Sequence, residues 1–150
     1  ELFKNNNISS NTIYNLAKTN EYLEVVNDQF SSPTSVNLLS SITTDLLNLY
    51  EENLSNKDLF GIYHVSSIGK TSWFEYARHI VNEMNMLGIE TKLNDLSIKP
   101  VATSSRKNLA QRPRNSYLDT NVISKKLQKE LPYWKHEVTQ VIKELISKKV

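Results

Sequence analysis

Residues Leu23–Thr34 read LEVVNDQFSSPT, and this stretch decides the fold class. Together with Tyr22, its first four residues are mostly apolar, aromatic or β-branched, which predicts a short strand over Tyr22–Val26 that the turn-prone pair Asn27-Asp28 closes. Pro33 prevents a helix from running through the preceding residue, because a residue before proline avoids helical dihedrals. A helix capped by one of the next two residues therefore follows a strand, an alternation typical of mixed α/β proteins.

Outside that stretch, apolar residues recur at helical spacing in four segments: residues 11–19, 73–87, 121–131 and 133 to near the end. Ser72 begins the second segment with a capping box, since Glu75 stands three positions later. Strand-forming residues cluster at Gly61–Val65, which predicts a further strand, and residues 89–101 predict one or two short extended pieces closed by Pro100. We expect an α/β protein in which helices dominate and the strands are few and short.

The composition excludes several classes of protein. Of 150 residues, 39% are hydrophobic and 23% charged, which is ordinary for one globular domain. No apolar run approaches the roughly 20 residues of a membrane span, and a formal net charge of +2 is too mild to indicate nucleic acid. The chain has no cysteine and its first seven residues lack an apolar signal core, so we expect a cytoplasmic protein.

A basic loop is the segment most informative about function. Between Lys99 and Tyr117 the chain has no acidic residue and five basic ones: Lys99, Arg106, Lys107, Arg112 and Arg114. Arginine forks match the oxygens of phosphate groups, so the loop is suited to bind an anion. A solvated loop whose arginines contact carbonyl groups of the protein is the alternative, and residue types alone do not exclude it.

Five segments, in order along the chain, resemble those of dTDP-4-dehydrorhamnose reductases: Leu23–Thr34, Gly61–Val65, Thr71–Ala77, Arg112–Asp119 and Leu131–Trp134. The fourth is similar to the Arg-Pro-x-Asn-Ser-x-Leu signature near the C-terminus of that family. Together the matches cover nearly the whole chain. Ser31 departs from the family pattern, which usually has glycine there.

The resemblance implies a Rossmann-type short-chain dehydrogenase of which residues 1–150 form a single C-terminal, sugar-nucleotide-binding region. The N-terminal NAD(P)-binding domain is then absent from this chain. Such an enzyme uses NADPH or NADH to reduce the C4 ketone of dTDP-4-dehydro-rhamnose to dTDP-rhamnose, for bacterial surface polysaccharides. We expect a dTDP-sugar and the missing cofactor domain as partners, with a homodimer as an option, and we expect this chain alone to be inactive and to bind no cofactor.

The residues expected at the rim of the substrate cleft are Gln29, Ser32, Trp73, Arg112, Arg114 and Asn115. The arginines would face the diphosphate, Gln29 and Asn115 would bond the sugar or the base, and Trp73 is expected to serve mainly the core. A non-catalytic relative, the regulatory subunit of methionine adenosyltransferase, shares the Arg-Pro-Arg-Asn signature and is the alternative. In that case the chain would bind a partner enzyme.

Two motifs imitate catalytic ones. Tyr14 and Lys18 have the Tyr-x-x-x-Lys spacing of short-chain dehydrogenases, but no glycine-rich turn precedes them, so an amphipathic helix with Lys18 in solvent is the better interpretation. Residues 69–71, Gly-Lys-Thr, lack the glycine that a phosphate loop requires five positions earlier and are expected to form a turn. The three histidines have no metal-binding spacing, so we expect no metal site in this chain. The resemblance implies that the catalytic and cofactor-binding residues belong to the missing part.

Overall fold

The structure is a computed structural model that describes residues 9–53, 57–105 and 112–147. In chain order the elements are α1 (Ser10–Thr19), β1 (Leu23–Val26), β2 (Phe30–Ser31), α2 (Val36–Glu52), β3 (Thr71–Ser72), α3 (Trp73–Met86), β4 (Ile98–Val101), α4 (Asn121–Leu127) and α5 (Trp134–Ser147). The predicted mixed α/β fold with dominant helices is confirmed. Arg106 and Lys107 of the basic loop lie outside the described residues.

Serine hydroxyls define where three of the helices begin. Ser9, Ser35 and Ser72 each accept a hydrogen bond from the backbone N–H three residues later, at 3.2, 3.0 and 3.1 Å. Each bond pairs one of the N–H groups that the first turn of a helix leaves without a partner. The cap predicted at Ser72 is confirmed, and Ser35 is the cap of α2.

The strands form two small sheets in the described part of the chain. In the first, β1 and β4 run parallel, with Leu23 opposite Ile98 and Val26 opposite Val101. Pro100 was expected to close this extended piece, but it lies inside β4. A proline is tolerated there because a strand in a two-stranded sheet keeps one edge free of ladder bonds. In the second sheet, β2 and β3 run antiparallel.

The main core lies between the first sheet and three helices, α1, α3 and α5. Its fully buried side chains include Ile13, Ala17, Val25, Ala77, Ile80, Met84, Leu93 and Ile142. Those on α1 and α3 recur at three- and four-residue intervals, which puts them on one face of each helix. The face predicted for α3 is confirmed except at Leu87, which is 39% exposed because the helix ends at Met86.

A second, smaller core joins α2 to α4. Its buried members are Leu38, Ile42, Ile123 and Leu131, with Leu46, Tyr63, Val65 and Leu127 packed against them. Helix α4 is shorter than predicted, because Gln128 takes a left-handed conformation with φ of 49° and ends it. The N–H of Lys129 then donates to the carbonyl of Ser124, an arrangement that commonly closes helices.

The strand predicted at Gly61–Val65 is wrong for the described part of the chain. The segment belongs to no sheet there, although its sequence is strongly β-forming. Strand formation requires a neighbouring strand to complete the hydrogen-bond ladder, whereas propensity reports only how well side chains fit a pleated surface. Tyr63 and Val65 instead pack against the second core.

Candidate functional site

The carboxyl ends of β1 and β4 lie side by side, because the two strands are parallel and in register. Asp28 follows the first strand and Thr103 follows the second. One carboxylate oxygen of Asp28 accepts hydrogen bonds from the Thr103 hydroxyl at 2.6 Å and from the Thr103 N–H at 2.9 Å. In open α/β sheets, ligands bind outside the carboxyl ends of the strands, so this edge is the natural place for a site.

These hydrogen bonds also favour the ionised form of the Asp28 side chain. Hydrogen bonding from the Thr103 side chain is the main cause that lowers the pKa of Asp28, and the positive charge of Arg114 contributes in the same direction. Both effects favour the ionised carboxylate. The site therefore carries a fixed negative charge next to a cationic loop.

Gln29 continues the same network. Its side chain is buried, and its Nε2 donates to the Thr103 hydroxyl at 3.0 Å. Because that hydroxyl donates its own proton to Asp28, the three side chains form one directed chain of hydrogen bonds. Gln29 is held in one orientation at the carboxyl edge of the sheet.

The Arg114–Ser116 part of the basic loop is attached to β2 through its backbone. The N–H of Phe30 donates to the carbonyl of Arg114 at 2.9 Å, and the N–H of Ser116 donates to the carbonyl of Phe30 at 2.8 Å. Asn115 thereby forms a parallel bridge with Phe30. The side chains of Arg112, Arg114 and Asn115 are exposed. The structure thus places the backbone of Arg114 and Asn115 against Phe30, which follows Asp28 and Gln29 in the chain.

A further cation lies on the same part of the surface. The Lys70 ammonium lies over the ring of Phe30, 4.7 Å from the ring centroid. A cation in this position is attracted by the negative face of the ring. Lys70 immediately precedes β3, which pairs with β2, so this second sheet presents positive charge from two different segments.

The other two predicted site residues, Ser32 and Trp73, contact other parts of the protein. The Ser32 hydroxyl donates to the carbonyl of Ser67 at 2.6 Å, so it fastens one loop to another. Trp73 is half-buried, packs against the main core and meets Tyr76 edge-on at 5.8 Å between ring centroids. The core role expected for Trp73 is confirmed by this packing.

Trp73 also lines a small cleft of about 200 Å³ with Pro33, Ser35, Tyr76, Glu137 and four further residues. The hydroxyls of Ser10 and Tyr76 lie 2.6 Å apart at this cleft, and burial raises the pKa of Tyr76. Pockets for small ligands usually measure about 300–1,000 Å³, so this cleft is undersized for a sugar nucleotide.

The Tyr14 and Lys18 pair occupies the predicted amphipathic helix. Tyr14 is only 3% exposed and belongs to the main core, whereas Lys18 is exposed with its Nζ 3.5 Å from the Tyr14 hydroxyl. Of residues 69–71, Gly69 forms a bend with a φ of +91°, and Thr71 already belongs to β3. Tyr14 and Lys18 thus belong to a helix that packs in the core, and residues 69–71 lead to the cap of α3.

Neither a metal-binding cluster nor a membrane-spanning helix occurs among the described residues. Residues 9–53, 57–105 and 112–147 hold no group of three or more His, Cys, Asp or Glu side chains placed to bind a metal ion. Within the same ranges, no helix combines the length and the apolarity that crossing a bilayer requires.

Sequence reasoning missed three residues of the site: Asp28, Thr103 and Lys70. The sequence does contain a signal for Asp28 and Thr103, because each of them follows a short extended segment. Pairing those segments in parallel would have brought the two side chains together. No local pattern indicated that Lys70 would reach Phe30, since that contact depends on the pairing of β2 with β3.

Comparison with known proteins shows what the chain resembles. Residues 3–147 match the RmlD substrate binding domain family. The dTDP-4-dehydrorhamnose reductase of Escherichia coli K12 is 35% identical over 144 residues, which cover 96% of this chain and 46% of that reductase. The spore coat polysaccharide biosynthesis protein SpsK of Bacillus subtilis is 37% identical over 112 residues, 75% of this chain and 34% of that protein.

Solved structures of dTDP-4-dehydrorhamnose reductases are also similar to this chain. A dTDP-4-dehydrorhamnose reductase from Bacillus anthracis, in complex with NADP, matches with a TM-score of 0.66 at 29% identity, over 94% of this chain and 44% of that one. An orthologous reductase from Clostridium acetobutylicum matches with a TM-score of 0.65 at 28% identity, over 95% and 45%. The chain spans less than half the length of these relatives. Since the family match covers nearly all of its residues, the chain belongs to the RmlD substrate binding domain family.

Proposed function

We propose that this chain is the substrate-binding part of a dTDP-4-dehydrorhamnose reductase. The whole enzyme would reduce the C4 ketone of dTDP-4-dehydro-rhamnose with NADPH or NADH and yield dTDP-rhamnose. One observation carries the proposal beyond family membership. Arg114 and Asn115 are attached by backbone bonds to β2, next to the Asp28-Gln29 pair that follows β1. In this proposal, the arginine on β2 and the fixed polar groups that follow β1 would act on the same ligand.

Each residue has a role in this proposal. Arg114 and Arg112 would bind the diphosphate, because a guanidinium group donates two parallel hydrogen bonds to phosphate oxygens. Asn115 and Gln29 would bond the sugar or the base. Gln29 suits this role because Thr103 already fixes its amide, so little conformational entropy is lost on binding. Ser32 would position the loop before α2 rather than touch the ligand.

The turn after β1 does not have the form of a dinucleotide-binding turn. In the described part, β1 is followed by the polar turn Asn27-Asp28 and then β2, whereas a dinucleotide site requires a glycine-rich turn that opens a helix. We therefore assign the hydride donor and the proton-donating residues to the rest of the enzyme, and residues 1–150 to one substrate-binding region. This chain would bind and orient the sugar nucleotide and exclude water from it.

Binding of dTDP-rhamnose to the purified chain tests the proposal by NMR titration. Backbone signals of Phe30, Asn115 and Ser116 should shift, and Arg114→Gln should weaken binding about tenfold, the equivalent of one charge-assisted hydrogen bond of about 1.5 kcal/mol. Lys143→Gln, an exposed change on α5, is the control and should leave affinity unchanged. Equal affinity of the Arg114→Gln variant and the unaltered chain would contradict the role given to Arg114.

A second measurement tests the division of labour. The purified chain should not oxidise NADPH in the presence of dTDP-4-dehydro-rhamnose. Turnover by the 150 residues alone would overturn the assignment of catalysis to the rest of the enzyme.

A further inference from the structure

The two ends of the Gln29 amide face different surroundings. The side chain is 8% exposed, and its Nε2 donates to the Thr103 hydroxyl at 3.0 Å. Among residues 9–53, 57–105 and 112–147, no other group forms a hydrogen bond with this side chain. The nitrogen of the amide is therefore bonded within the protein, whereas its oxygen, Oε1, has no partner in the described part of the chain.

The Oε1 atom of Gln29 also reaches the surface. Over the same ranges, the fully buried side-chain oxygens and nitrogens that lack a hydrogen bond are Ser67 Oγ and Trp134 Nε1. Gln29 Oε1 lacks a hydrogen bond but is not one of these two atoms, so part of it must be open to solvent. An amide oxygen has two lone pairs and only accepts hydrogen bonds. Gln29 thus offers an acceptor to whatever binds beside it.

Asp28 determines which end of the Gln29 amide faces outward. The ionised carboxylate of Asp28 can only accept, and it takes the single proton of the Thr103 hydroxyl at 2.6 Å. The hydroxyl oxygen must then accept its second hydrogen bond, and only the NH2 end of the amide can donate one. A reversed amide would place Oε1 against the hydroxyl oxygen, two acceptors with no proton between them. The network therefore fixes Oε1 on the outside.

We infer that Gln29 Oε1 accepts a hydrogen bond from a hydroxyl or N–H group of the ligand, and that Thr103 is the positioning residue that fixes this polarity. The inference rests on the function proposed above and specifies the part of the ligand that Gln29 contacts. An ionised diphosphate has only acceptor oxygens, so it has no proton to give to Oε1. The donors of dTDP-rhamnose are its sugar hydroxyls and the imide N–H of thymine.

The charges on either side of Gln29 divide the ligand in the same way. The carboxylate of Asp28, the preceding residue, repels phosphate groups. Phe30, the following residue, donates its N–H to the carbonyl of Arg114, whose guanidinium group attracts phosphate. We therefore expect the diphosphate on the arginine side and a hydroxyl-bearing or N–H-bearing part of the ligand at Gln29.

NMR titration of the 150-residue chain with dTDP-rhamnose, and separately with inorganic pyrophosphate, tests the inference. Gln29→Met keeps the length of the side chain but removes the amide, and Thr103→Val keeps the branched shape but removes the hydroxyl. Each should weaken dTDP-rhamnose binding about fivefold, the equivalent of one neutral hydrogen bond, and leave pyrophosphate binding unchanged. Thr103→Ser keeps the hydroxyl and should restore the affinity. An equal loss of affinity for pyrophosphate overturns the inference.

A double variant separates positioning from direct contact. Gln29→Met combined with Thr103→Val should lose no more affinity than either change alone, because Thr103 acts only through Gln29. Losses that add would show that Thr103 meets the ligand itself and would contradict the positioning role. Titration with dTDP then identifies the donor. A loss that also occurs with dTDP assigns the donor to the nucleoside, and a loss confined to dTDP-rhamnose assigns it to a hydroxyl of the hexose; both support the inference.

The ligand-free chain provides a spectroscopic readout of the same polarity. The side-chain NH2 protons of Gln29 should exchange slowly with solvent in the unaltered chain and in Thr103→Ser, and rapidly in Thr103→Val. Rapid exchange in all three overturns the positioning role of Thr103. If the unaltered chain binds no dTDP-rhamnose, the proposed function fails and the ligand assigned to Gln29 fails with it. If Arg114→Gln weakens binding but Gln29→Met does not, the inference fails alone.

Discussion

Gly69→Ala should be among the most destabilising single-methyl additions to this chain. Gly69 has a φ of +91°, and a Cβ placed on it would lie 2.1 Å from Cε2 of Tyr133 and 2.9 Å from Cδ1 of Trp134. Alanine with a positive φ costs about 1–2 kcal/mol, and forcing a methyl group into packed side chains costs about 1–3 kcal/mol. The free energy of unfolding should therefore fall by about 3 kcal/mol, and the Tm by about 6–12 °C for a domain of this size.

The other glycines separate the two contributions. Gly88 has a φ of +74° but no atom within 4 Å of an added Cβ, so Gly88→Ala should cost only the backbone part, about 1 kcal/mol. Gly61→Ala meets neither obstacle and should be nearly neutral. Chemical denaturation of the three variants measures each loss. If Gly69→Ala and Gly88→Ala lose equal stability, the argument from the Tyr133 and Trp134 contacts is refuted, and Tyr133→Ala should restore part of the loss if it is sound.

Three further predictions concern the cap, the site and the core. Ser72→Ala removes the hydroxyl that accepts from the Glu75 N–H and should lower the free energy of unfolding by about 1–2 kcal/mol in urea. The pKa of Asp28 is lowered in the folded protein, so its hydrogen bonds to Thr103 stabilise the fold at pH values above the unfolded pKa near 4. This stabilisation disappears as the pH falls through the folded pKa. Asp28→Asn should therefore flatten the acid limb of a curve of Tm against pH. Ile142→Ala, at a fully buried position, should cost about 3 kcal/mol.

Each of these has a control in the same chain. Ser9→Ala removes an exposed cap and should cost less than Ser72→Ala, because the Ser72 hydroxyl also donates to Asn27 at 2.6 Å. Exposed Glu90 serves for the acid limb, and Glu90→Gln should leave its slope unchanged. Leu96 is 79% exposed, so Leu96→Ala should stay within about 0.5 kcal/mol of the unaltered chain. A loss at Leu96 equal to that at Ile142 would show that the core is misplaced.

The helices could be predicted from the sequence because their causes are local. Ser72 and its partner three residues later lie within one turn, and the apolar spacing along α3 identifies its buried face without knowledge of any neighbour. The ends of the helices were harder to predict. Gln128 ends α4 in a left-handed conformation, but it is not the glycine that usually marks such a position in a sequence. The strand at Gly61–Val65 failed for a different reason, because the described part of the chain contains no partner for it.

The site was predictable only in part. Arg114, Asn115 and Gln29 were recognised by their motifs, and the structure places Arg114 and Asn115 against Phe30, the neighbour of Gln29. Thr103 lies 75 residues from Asp28 in sequence, and only the parallel pairing of β1 with β4 joins them. A contact of that kind depends on topology, which a single sequence specifies weakly when the strands are four residues long.

The way the arginine loop is attached decides how its function can be tested. The carbonyl of Arg114 accepts from Phe30, and the N–H of Ser116 completes the bridge, so backbone hydrogen bonds hold this segment on β2. A side-chain replacement at Arg114 therefore leaves the attachment in place. Loss of ligand affinity in Arg114→Gln, with unchanged stability, then reports on the guanidinium group itself. The backbone of the signature serves the fold, and in the proposed function the guanidinium group of Arg114 would contact the ligand, so that one short motif would do both.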